Sequence, residues 1–505
     1  MSLTNIPDNI LSGRLMLRTD LTEFTDATLA KDLSRVLKSH AYNRERIRFL
    51  QEYLRGYHPA IWQREKTTRT DVDNKVTVNY AYAFTRDIVG YFLGKPIQYT
   101  HRTGKFRKQM ENFNAALHAE NKALVDYQIA QDCSVCGIGY RGSFTESNPR
   151  NGTPLKLLRL DPLDTFVVYP SDPTKPPAYA VTSYETTADG ITSAPTSTRK
   201  RVYTVYTPRR MYVFEDDMTP MADPHSGGEP KLVSSKEIYF GGNLPITEYQ
   251  NNVWRLGDWE VGIAMMDALD AVASDGVNDI QQAVNSVLVA LGADLTDEVF
   301  EKLSTHGFLS VSNIPPGTRP EIKFISEAMN AEVGVAMRDY LESTLRVIVG
   351  VPDRKSRPGG GGDTGDAVFL RDGWQDIDLV AASKEPYFIQ SEREALATML
   401  YILDTKGVVS KIAATDIEIH FNRNKTANLQ SKAQVFQTLR AAGLAPEDAL
   451  DIANLTNNVH DVIMRMKAFE AENAEKSMNQ PDVSNGGSNP DGGDAASTGD
   501  DTITE

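Results

Sequence analysis

Residues 354–367 read RKSRPGGGGDTGDA. Glycine-rich loops that open helices often cradle phosphate, because their backbone N–H groups can turn toward an anion. A Walker-type loop needs Gly-x-x-x-x-Gly-Lys-Ser/Thr after a buried strand, since the Lys and the hydroxyl complete the phosphate and metal site. Here Gly359, Gly360, Gly361 and Gly362 run into Asp363, Thr364, Gly365 and Asp366, so acids stand where phosphate charge would sit. A dinucleotide fingerprint fails as well, because the pattern before the loop is helical rather than a strand. What remains is a flexible loop with Arg354, Lys355, Ser356 and Arg357 at its base. Such a loop can link two helices, or follow a moving polyanion.

Other reactive residues carry less. Cys133 and Cys136, in CSVC, are the chain's two cysteines. A structural zinc site needs four ligands, and no second CxxC or HxxxH is present, so two thiols buried on a helix is the expected arrangement. The eight His are scattered, and neither GxSxG nor HExxH occurs. No catalytic residue, metal site or cofactor is expected. Basic clusters at 102–108, 198–201 and 208–210 read as solvated surface, with phosphate contact as the sharper alternative.

The elements that would position these residues change texture along the chain. Residues 25–57 are periodic at helical spacing, a helix is expected from about Asn79 to Leu93 with Gly94 ending it, and one or two more fall in 104–132. From 138 to 250 the period becomes two, in short β-branched and aromatic runs, with a hairpin at RVYTVYTPRRMYVFEDD. Residues 256–292 hold no Pro and no basic residue, and read as one long helix. Met266, Leu269, Ala273, Ile280, Val284, Val287 and Leu291 form its apolar stripe, with Asp258, Glu260, Asp267, Asp270, Asp275 and Asp279 on the other side as a solvated face. At 1.5 Å per residue it would span about 55 Å.

A compact α/β insertion is expected over 294–325, with a short helix at TDEVFEKLSTHG and strands at FLSVSN and EIKFIS, and helix resumes from about Glu327 to Val349. A further long helix runs from about Asp366 to Thr405, with Pro386 as a kink, then a strand at 416–424. A helical hairpin over 427–475, with breaks near Gly443–Pro446 and Asn457, precedes an Asn/Gly/Ser/Asp-rich tail from Lys476 that is expected to be disordered.

Composition narrows the function. Net charge is −15, which excludes a protein that wraps nucleic acid through a basic surface. The cysteine usage fits a reducing compartment. The N-terminal segment is not read as a signal peptide, and no run reaches the 18 or so apolar residues of a membrane span.

Three segments in order resemble the portal proteins of siphophage-type tailed bacteriophages. They are NKVTVNYAYAFTRDIVGYFLGKPIQYT (74–100), NLPITEYQNNVWRLGDWEVGIAMMDALDAVASDGVNDIQQAVNSVLVALG (243–292), and the Gly-rich loop entering TGDAVFL (364–370), where Thr364 and Val368 depart from the family pattern. The resemblance implies an α+β, mainly helical portal fold whose subunits form a ring, typically of twelve. It assigns 1–255 to a wing with a helical N-terminal part and a β-rich part, 256–293 and 326–349 to stem helices, and 294–325 to a small α/β clip. Residues 350–366 become a tunnel loop, 367–426 the wing's long helix and strand, 427–475 a helical crown, and 476–505 an acidic tail.

The same resemblance implies a function without catalysis. Double-stranded DNA would pass through the ring's channel during packaging and ejection, at one vertex of the virion capsid, after assembly in the host cytoplasm. The expected partners are further copies of the chain, the terminase large subunit, a head-completion or adaptor protein, and the major capsid and scaffold proteins, with no membrane. Arg354, Lys355, Ser356, Arg357, Gly359–Gly362, Asp363 and Thr364 would face the DNA. Asp267, Asp270, Asp275 and Asp279 could line the channel or face outward, and Asp297, Glu298, Glu301, Lys302 and Arg319 would serve clip docking. An acidic conduit suits sliding, because few Lys or Arg contacts to phosphate mean low friction. The competing readings are a nucleotide-binding enzyme using Gly359–Gly362 and a monomeric structural adaptor.

Overall fold

The structure is a computed structural model that describes residues 13–65, 72–103, 106–149, 151–187, 199–218, 230–284, 287–291, 321–325, 331–353, 374–410, 412–423, 429–453, 455 and 459–478. Strand β1 (Leu17–Thr19) leads into helix α1 (Asp26–Leu54). Thr25 caps α1 reciprocally with Thr28, satisfying two end N–H groups. A short helix α2 (Pro59–Trp62) starts after His58. Helix α3 (Tyr80–Leu93) is capped by the Asn79 side chain and ends at Gly94, as its sequence pattern predicts. After β2 (Gln98–His101) come two helices, α4 (Arg107–Ala119) and α5 (Lys122–Cys136).

The period-two region builds two sheets. Its strands are β3 (Ile138–Thr145), β4 (Leu155–Leu160), β5 (Thr165–Pro170), β6 (Tyr179–Thr187), β7 (Arg199–Tyr206), β8 (Arg210–Met218), β9 (Lys231–Glu237) and β10 (Ile246–Gln250). One sheet has the order β1-β5-β6-β7-β8-β9, with β1 parallel to β5 and the others antiparallel; the second has the order β10-β3-β4. The expected hairpin is β7–β8, closing at Tyr206 opposite Met211. Leu29, Leu33, Val36 and Leu37 of α1 pack on Phe166, Val168, Tyr179, Val181, Tyr203 and Phe214, covering one face of the larger sheet. The continuation of α1 enters the main core through Ile47, Leu50 and Tyr53.

The long helix read over 256–292 is shorter. Helix α6 covers Ile263–Val284, 22 residues and about 33 Å. A turn and a single 3₁₀ turn (Glu260–Gly262) precede it. Beyond it, Val287–Leu291 is strand β11, antiparallel to β12 (Glu321–Ile325). The run VLVAL is apolar at every position, which suits either period, and cross-strand pairing decides it. Helix α7 (Ala331–Val349) returns and packs on α6, with Leu345 and Val349 in the same core as Met266 and Leu269. Helix α8 (Trp374–Thr405) carries Pro386 within it, and β13 (Ile417–His420) pairs with β2. The short helix and first strand expected within 294–325, and the segment 366–373 of the expected helix, lie outside the described residues.

Residues 428–505 form a separate compact unit. It contains α9 (Leu429–Ala441), α10 (Pro446–Ala453) and α11 (Val459–Met478). Gly443 at φ +91° and Pro446 at the first position of α10 make the break that the sequence marks. Asn457 and the tail beyond Met478 are outside the described residues.

Candidate functional site

Helix α6 is held by its polar side chains. Residues 72–79 run antiparallel along it as an extended segment, and α6 bonds their backbone at every second residue. Asp270 Oδ1 accepts the Val78 N–H at 2.7 Å, Ser274 Oγ accepts the Val76 N–H at 3.0 Å, and Asn278 Oδ1 accepts the Asn74 N–H at 2.7 Å. The spacing explains itself. Four helical residues rise about 6 Å, and two extended residues advance about 6.6 Å, so the two periods stay in step over three contacts. Asn74 Nδ2 continues the row to Gln281 Oε1.

At the Asp270 end of this row lies a second cluster. His58, at the start of α2, sets its Nδ1 against Asp270 Oδ2, and both side chains are fully buried. The Tyr53 ring stacks on His58 with centroids 3.7 Å apart, and its hydroxyl donates to Asp267 Oδ1 at 2.9 Å.

These contacts revise the reading of the four acids on α6. Asp270 is not part of a solvated face, because an N–H and an imidazole hold it inside the subunit. Asp267 is half-buried against Tyr53, and Asp275 is exposed and paired with Arg64 at 2.8 Å. Asp279 is partly exposed. The apolar stripe is revised too: Met266 and Leu269 are buried, but Ile280 is 67% exposed. On α7, Tyr340 is 64% and Val347 75% exposed. The paired helices therefore present apolar side chains outward as well as to each other.

A second buried device joins α5, β3 and α8. Lys122 and Asp126 on α5, Arg141 on β3 and Glu392 on α8 are all buried. Arg141 Nη1 meets Glu392 Oε2 at 2.8 Å, Lys122 Nζ meets Glu392 Oε1 at 3.0 Å and Asp126 Oδ2 at 2.7 Å, and Arg141 Nη2 also pairs with Asp126. The Tyr249 and Tyr99 hydroxyls donate to Glu392 at 2.7 and 2.9 Å. Burial works to raise the Glu392 carboxyl, but Arg141 and Lys122 outweigh it and hold it down at about 2. Two cations and two anions cancel, so the group fixes α8 to the sheet without leaving net charge in the core.

Of the remaining expected residues, Cys133 and Cys136 are buried free thiols on α5, each pushed up by burial. The loop residues Arg354, Lys355, Ser356, Arg357, Gly359–Gly362, Asp363 and Thr364 lie outside the described residues. So do Asp297, Glu298, Glu301, Lys302 and Arg319. The sequence reading missed His58, Ser274, Asn278, Arg141 and Glu392. Its available signal was the 270, 274, 278 spacing of polar residues on one helix face.

Paired helices, one of them tied by side-chain to backbone bonds to the segment 72–79, packed with several sheets, define a mixed α+β fold. The family described as phage portal protein, SPP1 Gp6-like, matches residues 33–477, and the chain belongs to that family. Its role is that of a phage portal protein, the connector at the capsid vertex, and the family is structural rather than enzymatic. A solved structure described as the neck of a native GTA particle, computed with C12 symmetry, is similar at 12% identity, with 74% of this chain and 89% of that chain covered and a TM-score of 0.39. No curated protein matches. Among the described residues no helix is long and apolar enough to cross a membrane.

Proposed function

We propose that the chain forms a closed ring, of about twelve copies, and passes double-stranded DNA through its centre. The observation that carries this is that the α6–α7 pair leaves Ile280, Tyr340 and Val347 exposed along its length in a single subunit. Large exposed apolar side chains gathered on packed helices need a partner surface, and a neighbouring copy in a ring supplies one repeatedly. In this reading residues up to 255 are the wing, α6 and α7 the stem, and residues 427–475 the crown. The clip is 294–325 in this reading, and the pairing of β11 with β12 brings its two ends together.

The tunnel loop, 350–366, would meet passing DNA through Arg354, Lys355 and Arg357, with Gly359–Gly362 giving it freedom to yield. Asp275 and Asp279 are the α6 acids left to face a channel. Asp297, Glu298, Glu301, Lys302 and Arg319 would take part in docking the terminase large subunit during filling and a head-completion protein afterwards. The other partners in this reading are the major capsid and scaffold proteins, in the host cytoplasm and then at the virion's portal vertex. The ring itself adds no catalysis; a separate ATPase supplies energy. Negative-stain imaging and native mass of the purified chain test the proposal. Rings with a central hole support it, and a strict monomer at high concentration across several salt conditions sinks it.

A further inference from the structure

We infer that His58, Asp267 and Asp270 form a binding site for one divalent transition-metal ion of the zinc type. Asp267 and Asp270 are spaced i, i+3 on α6, which puts both carboxylates on one face. His58 reaches them from the start of α2, and one ligand atom from each of the three lies within 4.8 Å of the others.

The bonds that reach this group from outside orient each member and leave one donor atom of each pointing inward. His58 Nε2 faces the Tyr53 carbonyl at 3.1 Å, an acceptor only, so that nitrogen donates and Nδ1 is the ring atom turned to the cluster. Asp270 uses Oδ1 for the Val78 N–H, which leaves Oδ2 facing Nδ1. Asp267 receives the Tyr53 hydroxyl on Oδ1, which leaves its second oxygen. A ligating His that gives its other N–H to a backbone carbonyl, and carboxylates fixed by outer hydrogen bonds, are the supporting shell of protein metal sites.

Charge makes the same point. Nδ1 and Oδ2 are hydrogen-bonded directly to each other where both residues are fully buried. A proton holds them together, and an ion entering the site must displace that proton and part the two atoms, because two ligands of one such ion stand about 3 Å apart. The proton serves the His58–Asp270 pair alone. A divalent cation also uses Asp267 and matches the −2 charge of two carboxylates and a neutral imidazole. One imidazole and two carboxylates suit zinc, cobalt or manganese; calcium would want six or more oxygens. Asp267 is only half-buried, which leaves a side for water as a fourth ligand. The ion would tie the α1–α2 junction to the base of α6, fastening stem to wing. This does not depend on ring formation.

The test uses the full chain, stripped with a chelator and titrated with Zn2+ or Co2+. One equivalent per chain is expected, with visible Co2+ bands of a four-coordinate N/O site and a rise in melting temperature with zinc. Asp267→Asn keeps an acceptor for the Tyr53 hydroxyl, so it should fold, and it should weaken zinc binding by about tenfold or more. His58→Gln should do the same. No stoichiometric binding overturns the inference. So does binding unchanged by both variants, or an NMR signature of a doubly protonated His58 that persists in excess zinc.

Discussion

Ser274 and Val76 bond twice: the serine Oγ accepts the Val76 N–H at 3.0 Å and donates to the Val76 carbonyl at 3.2 Å. A helix side chain thus replaces the strand partner that an extended segment would otherwise need. Every second N–H of 74–78 is held by α6 and not by a sheet, so the helix and this segment are tied together.

Ser274→Ala should therefore cost more than an ordinary helical Ser→Ala change. Ala is the better helix former, but the substitution strands a partly buried N–H and C=O. A loss of about 1–3 kcal/mol is expected in urea denaturation. A neutral or stabilising result would show that the ladder adds nothing beyond register.

Glu392→Gln should be costlier, because it leaves Arg141 and Lys122 buried with one carboxylate fewer. About 3–5 kcal/mol is expected at pH 7. The sign of the pH dependence follows from the carboxyl being lowered from 4.5 to about 2 in the folded chain. Its contribution is complete above about pH 4.5 and is lost as pH falls toward 2. The gap between wild type and variant should shrink through that window, as read by denaturation at pH 7, 4 and 3. A constant gap would assign the loss to packing.

These two devices differ in how they can be read from the chain. Helix α3, the β7–β8 hairpin and β13 announce themselves through capping residues, alternation and turn chemistry, all of which are local. The end of α6 does not, because an all-apolar VLVAL run fits a helix stripe and a strand equally well. The acids of α6 were assigned to a solvated face because composition cannot show that Asp270 meets His58, which is 212 positions away. Glu392 lies 251 positions from Arg141, and nothing near it in the chain distinguishes it from a surface Glu. Long-range polar pairing is the part that a single sequence conceals.

Gly137→Ala tests the turn from α5 into β3. Gly137 has φ +77°, and an added Cβ would lie 2.1 Å from the Arg255 carbonyl oxygen. Arg255 is itself left-handed at φ 55° and pinned by its buried pair with Glu248, so that carbonyl cannot move away cheaply. Strain and overlap together should cost at least about 2 kcal/mol. A cost under about 1 kcal/mol, from the same urea series, would mean that the 251–258 turn shifts more freely than its bonds suggest.

The exposed apolar surface of α6 and α7 separates folding from assembly. Ile280 and Val347 are mostly exposed in the subunit, so Ile280→Asp or Val347→Asp removes little that the isolated chain uses. Surface changes of this kind should leave stability within about 0.5 kcal/mol. In a ring the same carboxylates would be buried against a neighbour, and an unpaired buried charge is strongly unfavourable at every repeat of the interface. The expected outcome is a folded subunit, with unchanged circular dichroism, that sediments as a monomer where the wild type forms rings. Rings of normal size from the Ile280→Asp and Val347→Asp double variant would remove this face from the interface. The apolar side chains would then have to be assigned to a partner other than a second copy.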